Sequence, residues 1–426
     1  FNPPIIVCNE SHANVVTTQA DALGIELGKI ICEPAGRDTA PAIALCIEVT
    51  ENASEQRFLV MPSDHEVSSK ILFQKTLADA LPIVDDGKIV LFGVNPNRAE
   101  TGYGYLRAGD RIDDSECFNI EEFIEKPAQQ TAELLVQEPN VYWNAGIFFF
   151  RGEAILAEFL KFSPVLLQFI QKSVRQGTSS GKFFHPEAGA FMEIENVSVD
   201  YAVMEKTNIG AMACMKSAWS DLGSWTSIWE NSAQDADGNS IRGNVLDVDS
   251  ENCLIHSDGP TVGTCGLQDM IVVANRDAIL ISPKSNVQGV KNLVTGLKKK
   301  GSPTVSFQPQ ESRPWGEFES INRGESHQVK RIVVAPGGRL SLQYHFHRCE
   351  HWIVVKGIAT VTINEEVSQL GASQQIFIPQ GATHRLENFT DEPVEIIEVQ
   401  YGDYLGEDDI VRVEDIYKRT VRSANG

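Results

Sequence analysis

Residues 341–352 read SLQYHFHRCEHW, and this stretch decides the fold of the second half of the chain. Apolar and polar residues alternate through its first part, a period of two that is typical of a half-buried β-strand. Side chains two positions apart on a strand share a face, so we expect His345, His347 and His351 to point to one side. Glu350 then falls on the opposite face unless a bulge intervenes.

Residues 379–388, PQGATHRLEN, supply a fourth histidine. The Pro/Gly turn predicts that His384 lies at the start of the next strand. Converging imidazoles suit a divalent transition metal such as Zn, Fe, Mn, Co or Ni, and the sequence does not choose among these. Four of the nine histidines of the chain lie in these two segments, which favours a metal site over a solvated strand face that binds nothing. Gln343, on the predicted face of His345, is a further candidate ligand.

The composition predicts a globular protein of two or three domains, because the chain has 426 residues. Its net charge of −22 argues against a nucleic-acid partner. No apolar run approaches the roughly twenty residues of a membrane span, and no signal peptide is visible, so we expect no membrane partner and a cytoplasmic location. The eight cysteines show no CxxC spacing, which predicts reduced thiols.

Three regions differ in their sequence patterns. Residues 1–230 alternate short apolar runs with helix-like stretches, which predicts an α/β domain around a mainly parallel sheet. Residues 231–305 contain short strand-like pieces and a basic, Pro-containing stretch, and predict a β-rich connector and linker. Residues 306–426 hold the histidine segments and predict an all-β domain.

Motifs such as MPSDH, WSDLGSW and IPQGATHRLEN, in this order along the chain, resemble those of a known bifunctional family, the mannose-1-phosphate guanylyltransferase/mannose-6-phosphate isomerases. EPAGRDTAPAIAL, MPSDH, ETGYGY, EKP, WNAGIFFF, VDYAVMEK and WSDLGSW are similar to its guanylyltransferase domain, a Rossmann-like nucleotidyltransferase. SRPWGEFESI, the first histidine segment, IPQGATHRLEN and EVQYGDYLGEDDIVR are similar to its isomerase domain, an all-β cupin or jelly roll. The resemblance covers nearly the whole chain.

The resemblance implies two reactions. One transfers guanylyl from GTP to mannose 1-phosphate, giving GDP-mannose and diphosphate. The other interconverts mannose 6-phosphate and fructose 6-phosphate. The resemblance is also compatible with a homo-oligomer.

The catalytic residues of guanylyl transfer are expected at three places. Asp64 follows the apolar run FLVM, so it lies at the carboxyl end of a strand, where open α/β sheets place their ligands. An ordinary Pro-Ser-Asp turn is the alternative. The resemblance implies that Asp64 and Asp221 hold a Mg²⁺ ion, which neutralises charge on the GTP phosphates. It also implies that Lys126 binds the sugar phosphate.

The remaining residues of this site are substrate-binding candidates. By resemblance, Glu125 and Asn144 hydrogen-bond the hexose, while Gly102 and Gly104 let the backbone approach it closely. Arg37 precedes a helix-start pattern and is a candidate for the nucleotide pocket, although helix capping alone explains the pattern.

The isomerase reaction moves a proton between two carbons through an enediol, so its site needs a base and an electrophile. The histidine set at 345, 347, 351 and 384 is expected to hold the metal that polarises the substrate oxygens. In related cupins a glutamate occupies one ligand position, and Glu350 therefore competes with His351; the strand alternation favours the histidine. Glu350 is our candidate for the base.

Three cations are candidates for the substrate phosphate of the isomerase, because guanidinium and ammonium groups match phosphate oxygens. They are Lys330, Arg385 and Arg412. Exposed salt bridges are the alternative for each of them.

The chain departs from the family pattern at its start. Guanylyltransferases of this type open with a glycine-rich GGxGTRLWPLSR loop, and this sequence begins at Phe1 without one. We expect the sequence to be truncated, and the chain as it stands to have little or no guanylyltransferase activity. The alternatives are an isomerase-only enzyme, a non-catalytic metal-binding cupin that binds sugars or assembles subunits, and a guanylyltransferase whose cupin only assembles subunits.

Overall fold

A computed structural model of the chain describes residues 1–113, 115–305 and 309–415. Two compact units can be distinguished. The first consists of residues 1–256, 263–272 and 281–288, and the second of residues 257–262, 273–280 and the described chain from 289 onward. The predicted boundary at residue 306 lies outside the described residues, and the division into three domains stays a prediction.

One helix of the first unit begins at the capping group that the sequence predicts. The carboxylate of Asp38 accepts a hydrogen bond from the backbone of Thr39 at 2.7 Å, which confirms the predicted helix start. Its α-helices are α1 (Ala13–Ala22), α2 (Thr39–Val49), α3 (Lys70–Asp85), α4 (Gln129–Leu135), α5 (Gly152–Phe162), α6 (Pro164–Arg175), α7 (Ala188–Met192) and α8 (Trp225–Asn231). Short helical turns span Glu10–His12, Ala53–Glu55 and Asp200–Met204.

The strands of this unit form three sheets. They are β1 (Ile6–Asn9), β2 (Ile30–Glu33), β3 (Arg57–Val60), β4 (Glu66–Val67), β5 (Ile89–Val94), β6 (Tyr105–Arg111), β7 (Cys117–Ile124), β8 (Val141–Arg151), β9 (Thr178–Ser180), β10 (Phe183–His185), β11 (Gly210–Cys214) and β12 (Trp219–Ser220). The central sheet has the order β3-β8-β5-β11-β7-β6, a second has the order β1-β2-β10-β9, and β12 pairs with β4.

The central sheet is buried on both faces, as the α/β class predicts. Ile89 and Leu91 of β5 pack into one hydrophobic cluster with residues of α2, α5 and α6. Val90 and Phe92 point to the other face and pack with residues of α3. The sheet is mixed rather than mainly parallel, because the long strand β8 runs antiparallel to all three strands with which it pairs, β3, β5 and β6.

A β-rich segment follows, and its residues are divided between the two units. It contains β13 (Ser240–Arg242), β14 (Val245–Val248), β15 (Leu254–Ser257), β16 (Val262–Cys265), β17 (Met270–Ala274) and β18 (Ile279–Pro283). Four of these strands form a sheet of order β13-β15-β17-β18, and β14 pairs with β16. A short turn, Lys284–Gly289, and α9 (Val290–Lys299) come next.

The rest of the second unit is all-β, as predicted. After a turn at Pro303–Val305, its strands are β19 (Gln310–Arg313), β20 (Gly316–Arg323), β21 (His327–Val334), β22 (Leu342–His345), β23 (Arg348–Lys356), β24 (Ala359–Ile363), β25 (Glu366–Leu370), β26 (Gln375–Ile378), β27 (His384–Glu387), β28 (Val394–Gly402) and β29 (Ile410–Glu414), with a turn at Glu407–Asp409. They form two sheets, of order β19-β20-β21-β28-β23-β26 and β25-β24-β27-β22-β29.

The two sheets of this unit enclose one hydrophobic core. Ile332, Trp352 and Ile396 come from the first sheet, and Val361 and Leu386 come from the second. Buried and partly exposed residues alternate along β21, β23 and β28, so each strand turns one face to the core. Within the described ranges, no helix combines the length and the apolar character that a membrane crossing requires.

Two candidate active sites

The histidine segment is interrupted by a turn between β22 and β23. The carboxylate of Asp409 accepts hydrogen bonds from the backbone N–H groups of Phe346, at 3.0 Å, and of His347, at 3.2 Å. This side chain fixes the turn, and the alternation of faces starts again at Arg348. Glu350, with Arg348, therefore points into the interior between the two sheets.

Three potential metal ligands converge in that interior. His345, Glu350 and His384 are almost completely buried, and their ligand atoms all lie within 4.8 Å of one another. Nε2 of His345 lies 3.2 Å from Oε1 of Glu350, and Nε2 of His384 lies 3.6 Å from Oε2. Two imidazoles and one carboxylate form a donor set that suits a divalent transition metal.

The two histidines of this cluster are oriented as metal ligands are. Nδ1 of His384 lies 2.9 Å from the carbonyl oxygen of Ala382, and Nδ1 of His345 lies 3.4 Å from that of Asp409. Nδ1 can thus carry the proton, which leaves the Nε2 lone pair for a ligand. Among the described residues, neither buried Nε2 atom has a partner with hydrogen-bond geometry. Burial lowers the pKa of His384, which keeps its ring neutral. The residues present therefore fit a metal ion.

The carboxylate of Glu350 is held by three further donors. Oε1 accepts from Nε of Arg348 at 3.2 Å and from Nε2 of Gln400 at 3.0 Å, and Oε2 accepts from Nε1 of Trp352 at 3.0 Å. Burial raises the pKa of Glu350, but the imidazole of His345, with His384 and Arg348, outweighs burial and holds it well below its usual range. A carboxylate that stays ionised and is bonded on both oxygens is a poor proton acceptor, so this environment favours a ligand over the base that we expected.

Two of the predicted ligands lie elsewhere. His347 is exposed in the turn, with its Nδ1 3.4 Å from a carboxylate oxygen of Asp403. The ring of His351 lies between those of Phe377 and Tyr401, at centroid distances of 4.7 and 5.9 Å. The expectation that both share a face with His345 is wrong, because the turn held by Asp409 resets the alternation and brings Glu350 inward instead.

A cavity of ≈ 60 Å³ adjoins the cluster. Lys330 and Arg412, two of the predicted phosphate-binding cations, line it, as does Gln343. The ammonium group of Lys330 lies 2.6 Å from a carboxylate oxygen of Glu407. Arg348 adds a buried guanidinium that the sequence reading had not singled out.

Arg385, the third predicted cation, does not line this cavity. Its guanidinium lies 3.0 Å from Glu414 and 3.6 Å from Glu387. Arg385 follows His384 directly on β27, so the two side chains point to opposite faces of the sheet. The structure thus favours the ion-pair alternative for Arg385.

The cavity also contains a carboxyl group that the sequence reading missed. Oε1 of Glu398 accepts from Trp352 at 3.0 Å, and Oε2 accepts from Gln400 at 2.8 Å. Burial first, and then the charge of Glu350, raises the pKa of Glu398 to about 8. Glu398 and Gln400 follow the core residue Ile396 by two and four positions, so their side chains point to the same face of the strand. The alternation in EIIEVQY could therefore have identified them as inward-facing residues.

In the first unit, pairing of two short strands brings both predicted Mg²⁺ ligands near one imidazole, that of His65. Residue pairs Trp219–Val67 and Ser220–Glu66 set the register of β12 against β4, which leads Asp221 toward His65 and its neighbour Asp64. The charges of both aspartates act on His65, although burial is the largest effect and lowers its pKa. The hydroxyl of Tyr103 donates to Oδ1 of Asp221 at 2.6 Å. Both carboxylates thus lie near the imidazole of His65, and carboxylate oxygens are ligands that suit Mg²⁺.

The predicted sugar-binding residues form a group of their own. A Cβ atom added to Gly104 would lie 2.6 Å from Oε2 of Glu125 and 3.5 Å from Cβ of Asn144. An alanine at this position would therefore force the carboxylate of Glu125 to move. Lys126, half exposed, has its ammonium group 2.6 Å from Oε1 of Glu125. Gly102 lies outside this group, since its added Cβ would meet only Glu100, at 3.5 Å.

Arg37 lies at the start of α2 beside the loop that follows α7. Its Nη2 donates to the carbonyl oxygen of Met192 at 2.8 Å, and its own carbonyl oxygen accepts from Val197 at 3.3 Å. These contacts hold the loop against the helix start. A role of Arg37 toward a nucleotide stays a prediction.

Models of three protein families match consecutive parts of the chain. The nucleotidyl transferase family matches residues 1–238, the MannoseP isomerase/GMP-like beta-helix domain matches residues 243–297, and the mannose-6-phosphate isomerase C-terminal family matches residues 301–415.

Similar proteins are found among curated sequences and solved structures. Mannose-1-phosphate guanylyltransferase ManC of Salmonella typhimurium is 42% identical over 98% of this chain and 88% of its own length. Alginate biosynthesis protein AlgA of Pseudomonas syringae is 42% identical over 98% of this chain and 87% of its own length. A solved structure from Thermus thermophilus, described as a mannose-1-phosphate geranyltransferase, is 27% identical, with a TM-score of 0.60, and the match covers 69% of this chain and 84% of that one.

Proposed function

Because the chain belongs to the mannose-1-phosphate guanylyltransferase family whose members carry a mannose-6-phosphate isomerase domain, we propose that it works in GDP-mannose biosynthesis. It transfers guanylyl from GTP to mannose 1-phosphate, and it interconverts mannose 6-phosphate and fructose 6-phosphate. The two reactions belong to separate sites, one in each unit. Identity of about two-fifths over nearly the whole chain supports this reading.

In the isomerase domain, His345, Glu350 and His384 would hold a divalent transition metal, which polarises the substrate oxygens when it is bound. Gln343 lines the adjoining cavity and is the candidate for a further ligand. Lys330, Arg348 and Arg412 provide the positive charge that a sugar phosphate requires.

The protonated carboxyl of Glu398 replaces Glu350 as our candidate for proton exchange. The reaction moves a proton between C1 and C2, and the oxygens on these carbons must gain and lose protons as it proceeds. Glu398 faces the cavity, and burial, followed by the charge of Glu350, raises its pKa, which favours the protonated form that can donate a proton.

In the nucleotidyltransferase domain, Asp64 and Asp221 would hold Mg²⁺, whose charge stabilises the phosphates of GTP during transfer. Lys126 binds the sugar phosphate, while Glu125 and Asn144 hydrogen-bond the hexose. Their grouping around Gly104 supports this assignment, because it brings an ammonium group, a carboxylate and a carboxamide close together.

The convergence of two unbonded Nε2 atoms on one buried carboxylate is the observation that carries the isomerase assignment. The test removes metal with a chelator, then restores Zn²⁺, Co²⁺ or Mn²⁺ and measures the conversion of fructose 6-phosphate to mannose 6-phosphate. We expect activity to disappear and to return with metal. A folded chain that binds metal and sugar phosphate without turnover would instead support the non-catalytic alternative. Cytoplasmic location and a homo-oligomer remain predictions.

A further inference from the structure

Asp200 lies in the sugar-binding group of the first unit and belongs to the motif VDYAVMEK, for which the proposed function gives it no role. Its Oδ1 accepts a hydrogen bond from Nδ2 of Asn144 at 3.2 Å. Oδ1 of Asn144 accepts from the backbone of Gly146, also at 3.2 Å. The carboxamide is thus held from both ends, with an acceptor at its nitrogen and a donor at its oxygen. A half-turn of the carboxamide would lose both hydrogen bonds.

The surroundings of Asp200 join it to the phosphate end of the same site. Burial, followed by the charge of Glu125, raises its pKa to about 7, while Lys126 and the hydroxyl of Ser198 act in the opposite direction. Asp200 and Tyr201 in turn act on the ammonium group of Lys126. The charges of two carboxyl groups, those of Asp200 and Glu125, therefore act on the same lysine, and Glu125 is the one in contact with it.

We infer that Asp200 is a positioning residue of the sugar-phosphate site: it fixes the carboxamide of Asn144 toward the hexose and sets the charge beside Lys126. The inference rests on the proposed function, because it assumes that Asn144 and Lys126 bind mannose 1-phosphate. Asp200 itself acts through these two residues. Of the two Nδ2 hydrogens of Asn144, one is held by Asp200, and the second is the donor left for a sugar hydroxyl.

The test measures binding of mannose 1-phosphate to the full chain by calorimetry, without GTP, so that it does not depend on turnover. Removing the acceptor in Asp200→Ala leaves the carboxamide held only by Gly146, and we expect the Kd to rise by about tenfold or more. In Asp200→Asn the amide oxygen can still accept from Asn144, so we expect the Kd at pH 6 to stay within about threefold of the wild-type value. Glu195→Ala, an exposed carboxylate in the preceding loop, is the matched control and should bind as the wild type does.

A second readout separates this role from a purely structural one. In the wild type, ionisation of Asp200 adds negative charge beside Lys126, so affinity for the phosphate should fall as pH rises through about 7. In Asp200→Asn this contribution is absent, and the ratio of the two Kd values cancels the titration of the phosphate itself. The ratio of the wild-type Kd to the variant Kd should therefore increase with pH.

The possible outcomes distinguish a failure of this inference from a failure of the proposed function. If the wild-type chain does not bind mannose 1-phosphate, the proposed function of this unit fails. If the wild type binds it, and Asp200→Ala binds it equally well, the inference about Asp200 is wrong. Should Asp200→Ala not fold, the pH comparison with Asp200→Asn decides, and a constant ratio of Kd values would overturn the inference.

Discussion

Glu350 and His351 are neighbours in sequence, and they lie on opposite faces of the same sheet. Glu350 is 1% exposed and faces the histidines of the interior, whereas His351 stacks on aromatic rings of the outer face. Only one of the two can reach a metal held by His345 and His384. The pair therefore provides a variant and its control at adjacent positions.

Metal binding should depend on the interior residues alone. We expect His345→Ala and Glu350→Ala to lower the affinity for Zn²⁺ or Co²⁺ by at least about tenfold, because each removes one of three protein ligands. His351→Ala should bind metal as tightly as the wild type. Metal content after dialysis, measured by mass spectrometry, checks this. Equal metal loss in His351→Ala would contradict the ligand set.

The sequence predicts the strands of this region better than it predicts their faces. Local alternation identifies β22 and the all-β class, and Pro379 and Gly381 indicate the turn before His384. The turn that brings Glu350 inward depends on the carboxylate of Asp409, more than sixty positions away, and no local pattern contains that contact. The same limit applies to the central sheet of the first unit, where the pairing of β8 is a long-range property.

Two arginines should differ in their effect on the isomerase. Arg412 lines the cavity beside the metal cluster, so Arg412→Ala should raise the KM for mannose 6-phosphate by about tenfold or more, since hydrogen bonds to charged groups contribute about 1.5–3 kcal/mol. Arg385→Ala should leave KM within about twofold, because its guanidinium pairs with Glu414 and Glu387 on the other face. Steady-state kinetics of both variants check this. If KM rises more in Arg385→Ala than in Arg412→Ala, the substrate phosphate does not bind in this cavity.

Two glycines of ETGYGY provide a steric comparison in the guanylyltransferase site. Gly104→Ala places a Cβ 2.6 Å from Oε2 of Glu125, so the carboxylate must move, and we expect the Kd for mannose 1-phosphate to rise by about tenfold. Gly102→Ala makes only an ordinary contact of 3.5 Å with Glu100. Calorimetric titrations of both variants with mannose 1-phosphate measure the difference. If Gly102→Ala weakens binding as much as Gly104→Ala does, Glu125 is not the residue that contacts the sugar.

The buried carboxyl of Glu33 makes the stability of the first unit depend on pH. Glu33 ends β2, is 8% exposed, and its Oε1 has no hydrogen-bond partner among the described residues. Burial raises its pKa to about 7. Because the folded pKa lies above the unfolded one, the folded state binds more protons between these values. Stability should therefore fall as pH rises from about 4.5 to about 7.

Replacing the carboxyl of Glu33 with its neutral isostere should remove this loss of stability at higher pH. Glu33→Gln should be more stable than the wild type at pH 8, by up to roughly 3 kcal/mol and by less where water reaches the group, and the difference should shrink toward pH 5. The exposed Glu51→Gln is the matched control. Urea denaturation of the full chain, with hydrogen exchange of peptides that span β2, measures the effect at both pH values. If Glu33→Gln differs from the wild type in stability by the same amount at pH 5 and pH 8, Glu33 does not titrate in this range. The difference grows with pH only when the folded-state pKa of Glu33 lies above its unfolded-state pKa.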